Sequence, residues 1–162
     1  MTLWSENPAT AIEQVFGDIA RDRMADFPLV NAALSVEAVA CRRHAPSGEA
    51  AFWVGVLITP WAMNLMLLPA SDGDAPWPDV APGGKHLWRF PSGVYEFTVA
   101  EADGLGVYHL CSLFSPPLDF PDQATARQTA YATLAALLRE DPLRQTAESS
   151  GRRRFGFSGK RT

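Results

Sequence analysis

The sequence predicts an α+β fold, a single domain with an antiparallel β-sheet of about five to six strands packed by an N-terminal and a C-terminal helix. Short apolar stretches separated by turn residues occupy positions 34–114, whereas the flanking segments have the apolar spacing of helices. The connecting turns, such as Asp103-Gly104, are of the hairpin type, which makes neighbouring strands antiparallel. With 162 residues, 47% of them hydrophobic and 20% charged, the chain suits one domain with one core.

The first helix is predicted to begin at Asn7-Pro8, because asparagine caps helix N-termini and proline suits the first helical position. Its apolar face is expected to consist of Ile12, Phe16, Ile19 and Met24. Phe27-Pro28 places its end near residue 26, since a residue before proline avoids helical geometry.

Strands are expected at residues 34–39, 51–59, 86–90, 94–100 and 105–114. Residues 51–59 are apolar on both faces, which indicates a central strand. Residues 69–85 contain four prolines and three glycines and therefore form a long loop, which includes Asp72, Asp74 and Trp77.

The second helix is predicted to open at Pro121 and to close at Asp141-Pro142. Its inner face is expected to consist of Ala124, Gln128, Tyr131, Leu134, Ala135 and Leu138. The domain is expected to span residues 1–144, and residues 145–162 are expected to form a basic, disordered tail.

Charge is unevenly distributed along the chain. Residues 1–150 carry 9 basic and 18 acidic groups, a net of −9, whereas the last 12 residues carry five basic groups and no acid. An acidic body favours a basic partner and disfavours nucleic acid. No apolar stretch reaches the roughly 18 uncharged residues of a transmembrane helix, so no stable membrane insertion is expected. Two cysteines and an N-terminus without a secretory pattern indicate a cytoplasmic protein.

The chemical motifs are few. Cys41-x-x-His44 and His109-x-Cys111 together suggest a thiol- or metal-dependent protein as one alternative. Their spacing is not that of a zinc finger, and apolar strands favour core packing for both cysteines. The main expectation is therefore a protein that is not an enzyme and has no catalytic residue, no cofactor and no metal. A carrier of an apolar small molecule, bound between sheet and helix, is a further alternative.

The run GVLITPWAMNLMLLP, residues 55–69, permits two structures. Thr59-Pro60 either starts a short helix over residues 61–68 or forms the turn of a hairpin. In both cases Trp61 and Met63 lie near a bend, where large side chains are expected to stay partly exposed. Asn64 either bonds backbone in the turn or belongs to a site, and Glu96 either faces solvent or meets a basic ligand.

Four segments occur in the order and at the separations of a known family: NPATAIEQVFGDIARDRMADFPLVNAALSVEAV, VGVLITPWAMNLMLLP, RFPSGVYEF and YHLCSLFSPPLDFPDQATAR. Over residues 6–140 the chain resembles the HybE/HupJ family of [NiFe]-hydrogenase assembly chaperones. The resemblance implies a cytoplasmic accessory protein for a membrane-bound uptake hydrogenase. Its implied partners are the small-subunit precursor, with its twin-arginine export signal, and the large subunit. The resemblance leaves open which subunit is bound, at what stage, and the oligomeric state.

A binder of a twin-arginine signal needs acidic and apolar surface close together. The predicted partner-binding residues are Thr59, Pro60, Trp61, Met63, Asn64, Leu65 and Glu96, with Asp72, Asp74 and the loop around Trp77 as further contributors. Gly151-Arg-Arg-Arg-Phe155 loosely resembles the signal itself and is expected to be either a solvated basic tail or a segment that occupies the protein's own signal site.

Overall fold

A computed structural model describes residues 1–139, which form two helices and one six-stranded sheet. The elements are α1 (Ala9–Asp22), β1 (Glu37–His44), β2 (Phe52–Ile58), β3 (Met63–Pro69), β4 (Lys85–Phe90), β5 (Gly93–Ala102), β6 (Gly106–Phe114) and α2 (Gln123–Leu138). The strand order is β1-β2-β3-β6-β5-β4 and every pairing is antiparallel. The predicted fold class is confirmed. Over the described residues, neither helix is long and apolar enough to cross a membrane.

Each face of the sheet carries one helix. Alternation along β2 directs Val54 and Val56 toward α2, where they pack with Leu134, and it directs Leu57 toward α1, where it packs with Ile12. We call these sides the α2 face and the α1 face. Full burial of one such aliphatic side chain contributes about 1.5–3 kcal/mol, so both helices are held mainly by these contacts.

Two predicted boundaries were wrong. Helix α1 ends at Asp22 instead of residue 26, because the amides of Arg23 and Met24 both donate to the carbonyl of Ile19 and close the helix there. Strand β1 begins at Glu37 instead of residue 34. The amide of Leu34 bonds the carbonyl of Asn31 in a turn, so pairing with β2 starts three residues later.

The inner face of α2 was predicted only in part: Leu134 and Leu138 are buried as expected, but other predicted positions are not. Tyr131 is 53% exposed, whereas the alanines at 126 and 130 are fully buried. Helix α2 carries apolar residues on all sides, so their spacing does not identify its inner face. Small side chains allow the closest approach of the helix to the sheet. The buried residues are Ala126, Ala130, Thr133, Leu134, Ala136, Leu137 and Leu138. The predicted end of α2 at Asp141-Pro142 and the predicted tail, residues 145–162, lie outside the described residues.

Two polar contacts fix the position of α2. The Asp122 carboxylate caps the helix by accepting a hydrogen bond from the Thr125 amide at 2.8 Å. The Arg127 guanidinium binds the Glu37 carboxylate on β1, with 2.9 Å between Nε and Oε2. This hydrogen-bonded cation lowers the pKa of Glu37 below its usual value.

Candidate functional site

The segment that begins at Thr59 forms the turn of a β2–β3 hairpin, and the alternative of a short helix was wrong. Ile58 pairs with Met63 on either side of the turn. The Thr59 hydroxyl donates to the Ala62 carbonyl at 2.8 Å and accepts from the Ala62 amide at 3.0 Å. Thr59 is 1% exposed, so its side chain closes the turn from inside the protein.

Burial divides the predicted partner-binding residues into two groups. Met63 and Leu65 are 0% and 1% exposed and belong to the core of the α2 face. The expected exposure of Met63 was therefore wrong: β3 lies between β2 and β6, and a side chain at the start of an interior strand can be covered completely. Pro60, Trp61 and Asn64 keep part of their surface accessible.

The sheet brings two of the predicted residues to one side. Asn64 on β3 pairs with Ser112 on β6, and Glu96 on β5 pairs with Leu87 on β4. All four alternate with neighbours that pack on the α2 face, so they lie on the α1 face. Since β6 is the one strand between β3 and β5, Asn64 and Glu96 are about 10 Å apart in the direction across the strands.

This part of the α1 face is accessible. Glu96 and Ser112 are exposed, Leu87 is 62% exposed, and Val94, two residues from Glu96 on the same face, is 51% exposed. Helix α1 packs over the opposite part of the face. We call Leu87, Val94, Glu96, Ser112 and Asn64 the open strip. It combines apolar side chains with one carboxylate, and the exposed Arg89, directly opposite Val94, lies on the same face.

The predicted loop residues have different surroundings. Asp72 and Asp74 are exposed, and the Asp74 carboxylate accepts a hydrogen bond from the Gly48 amide at 2.9 Å. The Trp77 ring packs inward, with its centroid 5.0 Å from those of Trp88 and His109. Trp77 was expected to offer apolar surface to a partner, but its indole nitrogen is buried.

Beneath Trp77 lies a polar contact that the sequence pattern did not indicate. Trp88 Nε1 donates to Nδ1 of the fully buried His109 at 2.9 Å. Burial, and then the neighbouring His86, lowers the pKa of His109 to about 4, so the ring is neutral and its proton is on Nε2. Neither that nitrogen nor Trp77 Nε1 has a hydrogen-bond partner among the described residues.

The two Cys/His pairs do not meet. Cys41 and His44 lie on β1 and His109 and Cys111 on β6, with two strands between them. Cys41 packs on the α1 face and Cys111 on the α2 face. Burial, with a smaller effect of Glu13, raises the pKa of Cys41 to about 12. Residues 1–139 contain no group of three or more His, Cys, Asp or Glu that is placed to hold a metal ion.

A cleft that the sequence reasoning missed lies between the second half of α1 and the β5–β6 hairpin. Its volume is about 510 Å³, and four of the residues that line it are acidic: Asp18, Asp22, Glu101 and Asp103. The spacing of 18 and 22 on one helix face was a usable signal. Their position opposite residues 101 and 103 depends on tertiary contacts.

The chain is similar to known proteins over most of its length. The model of the family "[NiFe]-hydrogenase assembly, chaperone, HybE" matches residues 7–159. The chain is 44% identical over 138 residues to protein HoxT of Cupriavidus necator, covering 81% of this chain and 75% of that protein. The solution structure of HybE from Escherichia coli superimposes with a TM-score of 0.66 at 25% identity, covering 100% of this chain and 95% of that one.

A further relative is the probable rubredoxin HupJ of Rhodobacter capsulatus, 39% identical over 137 residues. The match covers 85% of this chain, which spans about half, 47%, of that protein's length. This chain has two cysteines, Cys41 and Cys111, and they pack on opposite faces of the sheet.

Proposed function

We propose, from the premise that this chain belongs to the HybE family of [NiFe]-hydrogenase assembly chaperones, that it assists maturation of a membrane-bound [NiFe] uptake hydrogenase in the cytoplasm. It binds the small-subunit precursor, including the twin-arginine signal, and acts with the large subunit before export. Binding delays export until assembly is complete, and no chemical reaction is required of the chaperone.

The main support for this proposal is that the open strip exposes apolar side chains beside a carboxylate. A twin-arginine signal presents arginines followed by an apolar stretch, so its binder needs carboxylates beside apolar surface. Leu87 is 62% exposed and lies directly opposite Glu96 in the β4–β5 pairing. Exposed apolar side chains grouped on a sheet face are typical of interaction surfaces.

Within the predicted set, Pro60, Trp61, Asn64 and Glu96 make the contacts, because they are accessible. Thr59, Met63 and Leu65 support those contacts from inside the protein. The outer residues of the β2–β3 hairpin therefore contact the client, and its buried residues hold the hairpin in place.

The alternatives receive less support from the described residues. The dispersed Cys/His pairs do not favour a thiol- or metal-dependent function. The cleft between α1 and the β5–β6 hairpin, with four acidic residues in its lining, is unsuited to an apolar small molecule.

Co-purification tests the proposal. The tagged chain is expressed with the small-subunit precursor, with and without its signal, and with the large subunit. We expect the precursor to be recovered and recovery to fall when the signal is removed. The variant Trp61→Ala/Asn64→Ala/Glu96→Gln should recover less precursor, whereas Tyr131→Ala, an exposed change on α2, should not. Equal recovery by both folded variants would refute the assignment of the strip and of Trp61 to the contact surface. No recovery of either subunit by the unaltered chain would refute the function.

A further inference from the structure

The sheet curves so that its β4 edge approaches β2 on the α2 face. In the strand order β3, β6 and β5 lie between β2 and β4, a separation of about 19 Å in a flat sheet. Phe52 on β2 nevertheless packs edge-on against both Trp88 and Phe90 on β4, with ring centroids 5.2 and 5.6 Å apart. The α2 face is therefore concave.

A groove lies beside the β4 edge. It is lined by residues 86–89 of β4, residues 48–50 of the β1–β2 turn, and Pro76 and Pro78 of the loop between β3 and β4. Its volume of about 340 Å³ falls in the range of about 300–1,000 Å³ that ligand pockets have. Because successive side chains of a strand point to opposite faces, a cavity lined by four consecutive residues runs along the strand's edge. We call it the edge groove.

The backbone of β4 is unpaired along this edge. Directly before β4 the Val99 amide donates to the Gly84 carbonyl at 2.9 Å, so Gly84 belongs to a hydrogen-bonded pair with β5. Such pairs alternate along an antiparallel ladder, so Lys85, Leu87 and Arg89 direct their amides and carbonyls away from β5. Beyond the β4–β5 pairing, residues 1–139 supply no backbone hydrogen bond to these groups. Unpaired strand edges are templates for a further strand.

The opposite edge of the sheet, at β1, is less suited to such pairing. The β1 register shifts between Val39 and Arg42, and Ala40 in that bulge has φ +55°. A bulge twists an edge strand away from regular pairing. Strand β4, in contrast, keeps one register over its whole length. Of the two edges in the described part of the chain, β4 is therefore the one that can accept a strand.

The α1-face side chains of β4 select the charge of the added strand. Lys85, Leu87 and Arg89 are exposed, and neither cation forms an ion pair among the described residues. Glu96 lies opposite Leu87 and balances one of the two charges. Opposite charges facing each other on neighbouring strands stabilise the pairing. The favoured segment therefore has acidic residues opposite Lys85 and Arg89 and an apolar residue opposite Leu87.

The edge groove selects the side chains that point to the other face. Residues opposite Trp88 and His86 would enter the groove, whose walls include the rings of Trp88 and two prolines. Apolar side chains gain most from such walls. Glu49, also in the lining, disfavours a further acid on this side. The complete pattern is thus acidic, three apolar residues, acidic.

A second copy of this chain fits the edge less well. If two β4 strands paired antiparallel about Leu87, Lys85 of each copy would lie directly opposite Arg89 of the other. Like charges in directly opposite positions destabilise a strand pair. The edge is therefore complementary to an acidic segment and not to itself.

We propose that the β4 edge binds an extended segment of a partner protein by strand addition, and that this segment has three apolar residues between two acidic ones. Its backbone pairs with Lys85, Leu87 and Arg89, as in other complexes formed by strand addition. Its acidic side chains meet Lys85 and Arg89, and its apolar side chains occupy the edge groove beside Trp88. This surface is additional to the hairpin contacts of the proposed function, and the proposal does not rest on that function.

Calorimetric titration of the full-length chain with a synthetic peptide tests the charge pattern. The probe is Ser-Glu-Ile-Val-Ile-Glu-Ser with blocked termini, and its control has lysines in place of the glutamates. We expect the probe to bind about tenfold more tightly than the control. Lys85→Gln/Arg89→Gln should weaken probe binding about three- to tenfold. The matched pair Arg21→Gln/Arg23→Gln makes the same charge change on exposed positions of α1 and should weaken it less than about twofold.

Two backbone changes test strand addition itself. N-methylation of the central valine of the probe removes an amide that points to β4 and should weaken binding about tenfold, whereas N-methylation of either isoleucine, whose amide points away, should not. Leu87→Pro removes one outward amide and should abolish binding, whereas Leu87→Ala retains that amide and should not. Proline is tolerated where the amide of an edge strand faces solvent, and thermal unfolding checks that each variant is folded.

Absence of probe binding, equal loss in the two charge pairs, or equal loss from the two positions of N-methylation would overturn the proposal. Sedimentation velocity and a deletion identify any occupant from the chain itself. If Leu87→Pro converted a dimer to a monomer, a second copy would occupy the edge. If deletion of residues 145–162 raised probe affinity more than tenfold, the chain's own tail would occupy it. Either result would overturn the assignment to a partner protein.

Discussion

The backbone amide of Asn31 donates a hydrogen bond to the carbonyl oxygen of Pro60, with 2.7 Å between N and O. The Asn31 side-chain amide donates to the carbonyls of Pro117 and Phe120 at 2.9 and 2.8 Å. One asparagine outside the sheet therefore joins the β2–β3 turn to the segment between β6 and α2. The surface that carries Trp61 is held in place by a residue 30 positions away in the chain.

Replacing Asn31 should destabilise the protein. Asn31→Ala removes both donated bonds and the bond that Oδ1 accepts from the Ala33 amide. Because buried carbonyls then lose their donors, we expect the free energy of unfolding to fall by about 1–3 kcal/mol, measured by urea denaturation. Asn64→Ala, at a half-buried amide with no such network, should cost less than about 0.5 kcal/mol. Similar losses in both variants would contradict the bridging role of Asn31.

Substitution of Met63 should affect mainly stability, whereas substitution of Trp61 should affect mainly client binding. Met63→Ala empties a fully buried position and should lower the free energy of unfolding by about 2–5 kcal/mol. Trp61→Ala removes a half-buried ring, so it should cost less stability and should reduce recovery of the precursor in the folded protein. Urea denaturation and co-purification of the same two preparations check this. A precursor loss in Met63→Ala that persists when the protein is fully folded would instead indicate direct contact by Met63.

Stability should fall with acidification through the titration of His109. The folded-state pKa is about 4, below the ordinary value of 6.5, so at pH values between these two the unfolded chain binds a proton that the folded chain does not. The stabilisation that the neutral buried ring gives the folded protein is therefore fully present above pH 6.5 and is lost as the pH falls toward 4. We expect a loss of about 2–3 kcal/mol across this range in urea denaturation.

A variant that lacks His109 isolates this effect from that of carboxylates. His109→Phe should be less stable at pH 7, because Trp88 Nε1 loses its acceptor, but should show a flatter profile between pH 6.5 and 4.5. Glu37, whose pKa is lowered by Arg127, contributes at lower pH, since its stabilisation is lost only as the pH falls below 4.5. An unchanged profile in His109→Phe would assign the acid sensitivity to other groups.

Gly55 should tolerate no side chain. A Cβ at this position would lie 2.7 Å from the Cys41 sulfur and 3.1 Å from the Val39 carbonyl oxygen. Gly55→Ala should therefore lower the free energy of unfolding by about 1–3 kcal/mol through overpacking. In the double variant Gly55→Ala/Cys41→Ala the sulfur is absent, and part of the loss should be recovered. If the double variant recovered none of the lost stability, the clash would be with the backbone of β1 and not with the Cys41 sulfur.

The thiols should be slow to react in the folded protein. Burial raises the pKa of Cys41 to about 12, and burial together with Glu96 raises the pKa of Cys111. Since the thiolate is the reactive form, both should modify slowly with a disulfide reagent at pH 8 and rapidly after denaturation. Rapid modification of either cysteine in the native protein would contradict this prediction and would support the alternative of a thiol-dependent function.

Local patterns were sufficient for the fold class and for several details. Alternation and hairpin turns predicted the antiparallel sheet, and the Asn7-Pro8 signal predicted the start of α1 to within about one residue: the helix begins at Ala9, whose amide donates to the Asn7 side chain at 2.9 Å. These predictions succeed because strand periodicity and capping depend on residues close together in the chain. The prediction for the inner face of α2 failed at several positions because the orientation of an alanine-rich helix depends on the distant surface against which it packs.

The sequence by itself determined the α+β class, the hairpin as one of two structures for residues 59–68, the acidic body and the family resemblance. Only the tertiary structure decided that Met63 and Leu65 are buried while Asn64 lies on the same side as Glu96. It also brought acidic residues of α1 and of the β5–β6 hairpin to the lining of one cleft. Backbone preferences act over a few residues, whereas burial and electrostatic grouping depend on which distant segments pack together. GVLITPWAMNLMLLP is therefore mostly core, and Pro60, Trp61 and Asn64 are its accessible residues at the turn.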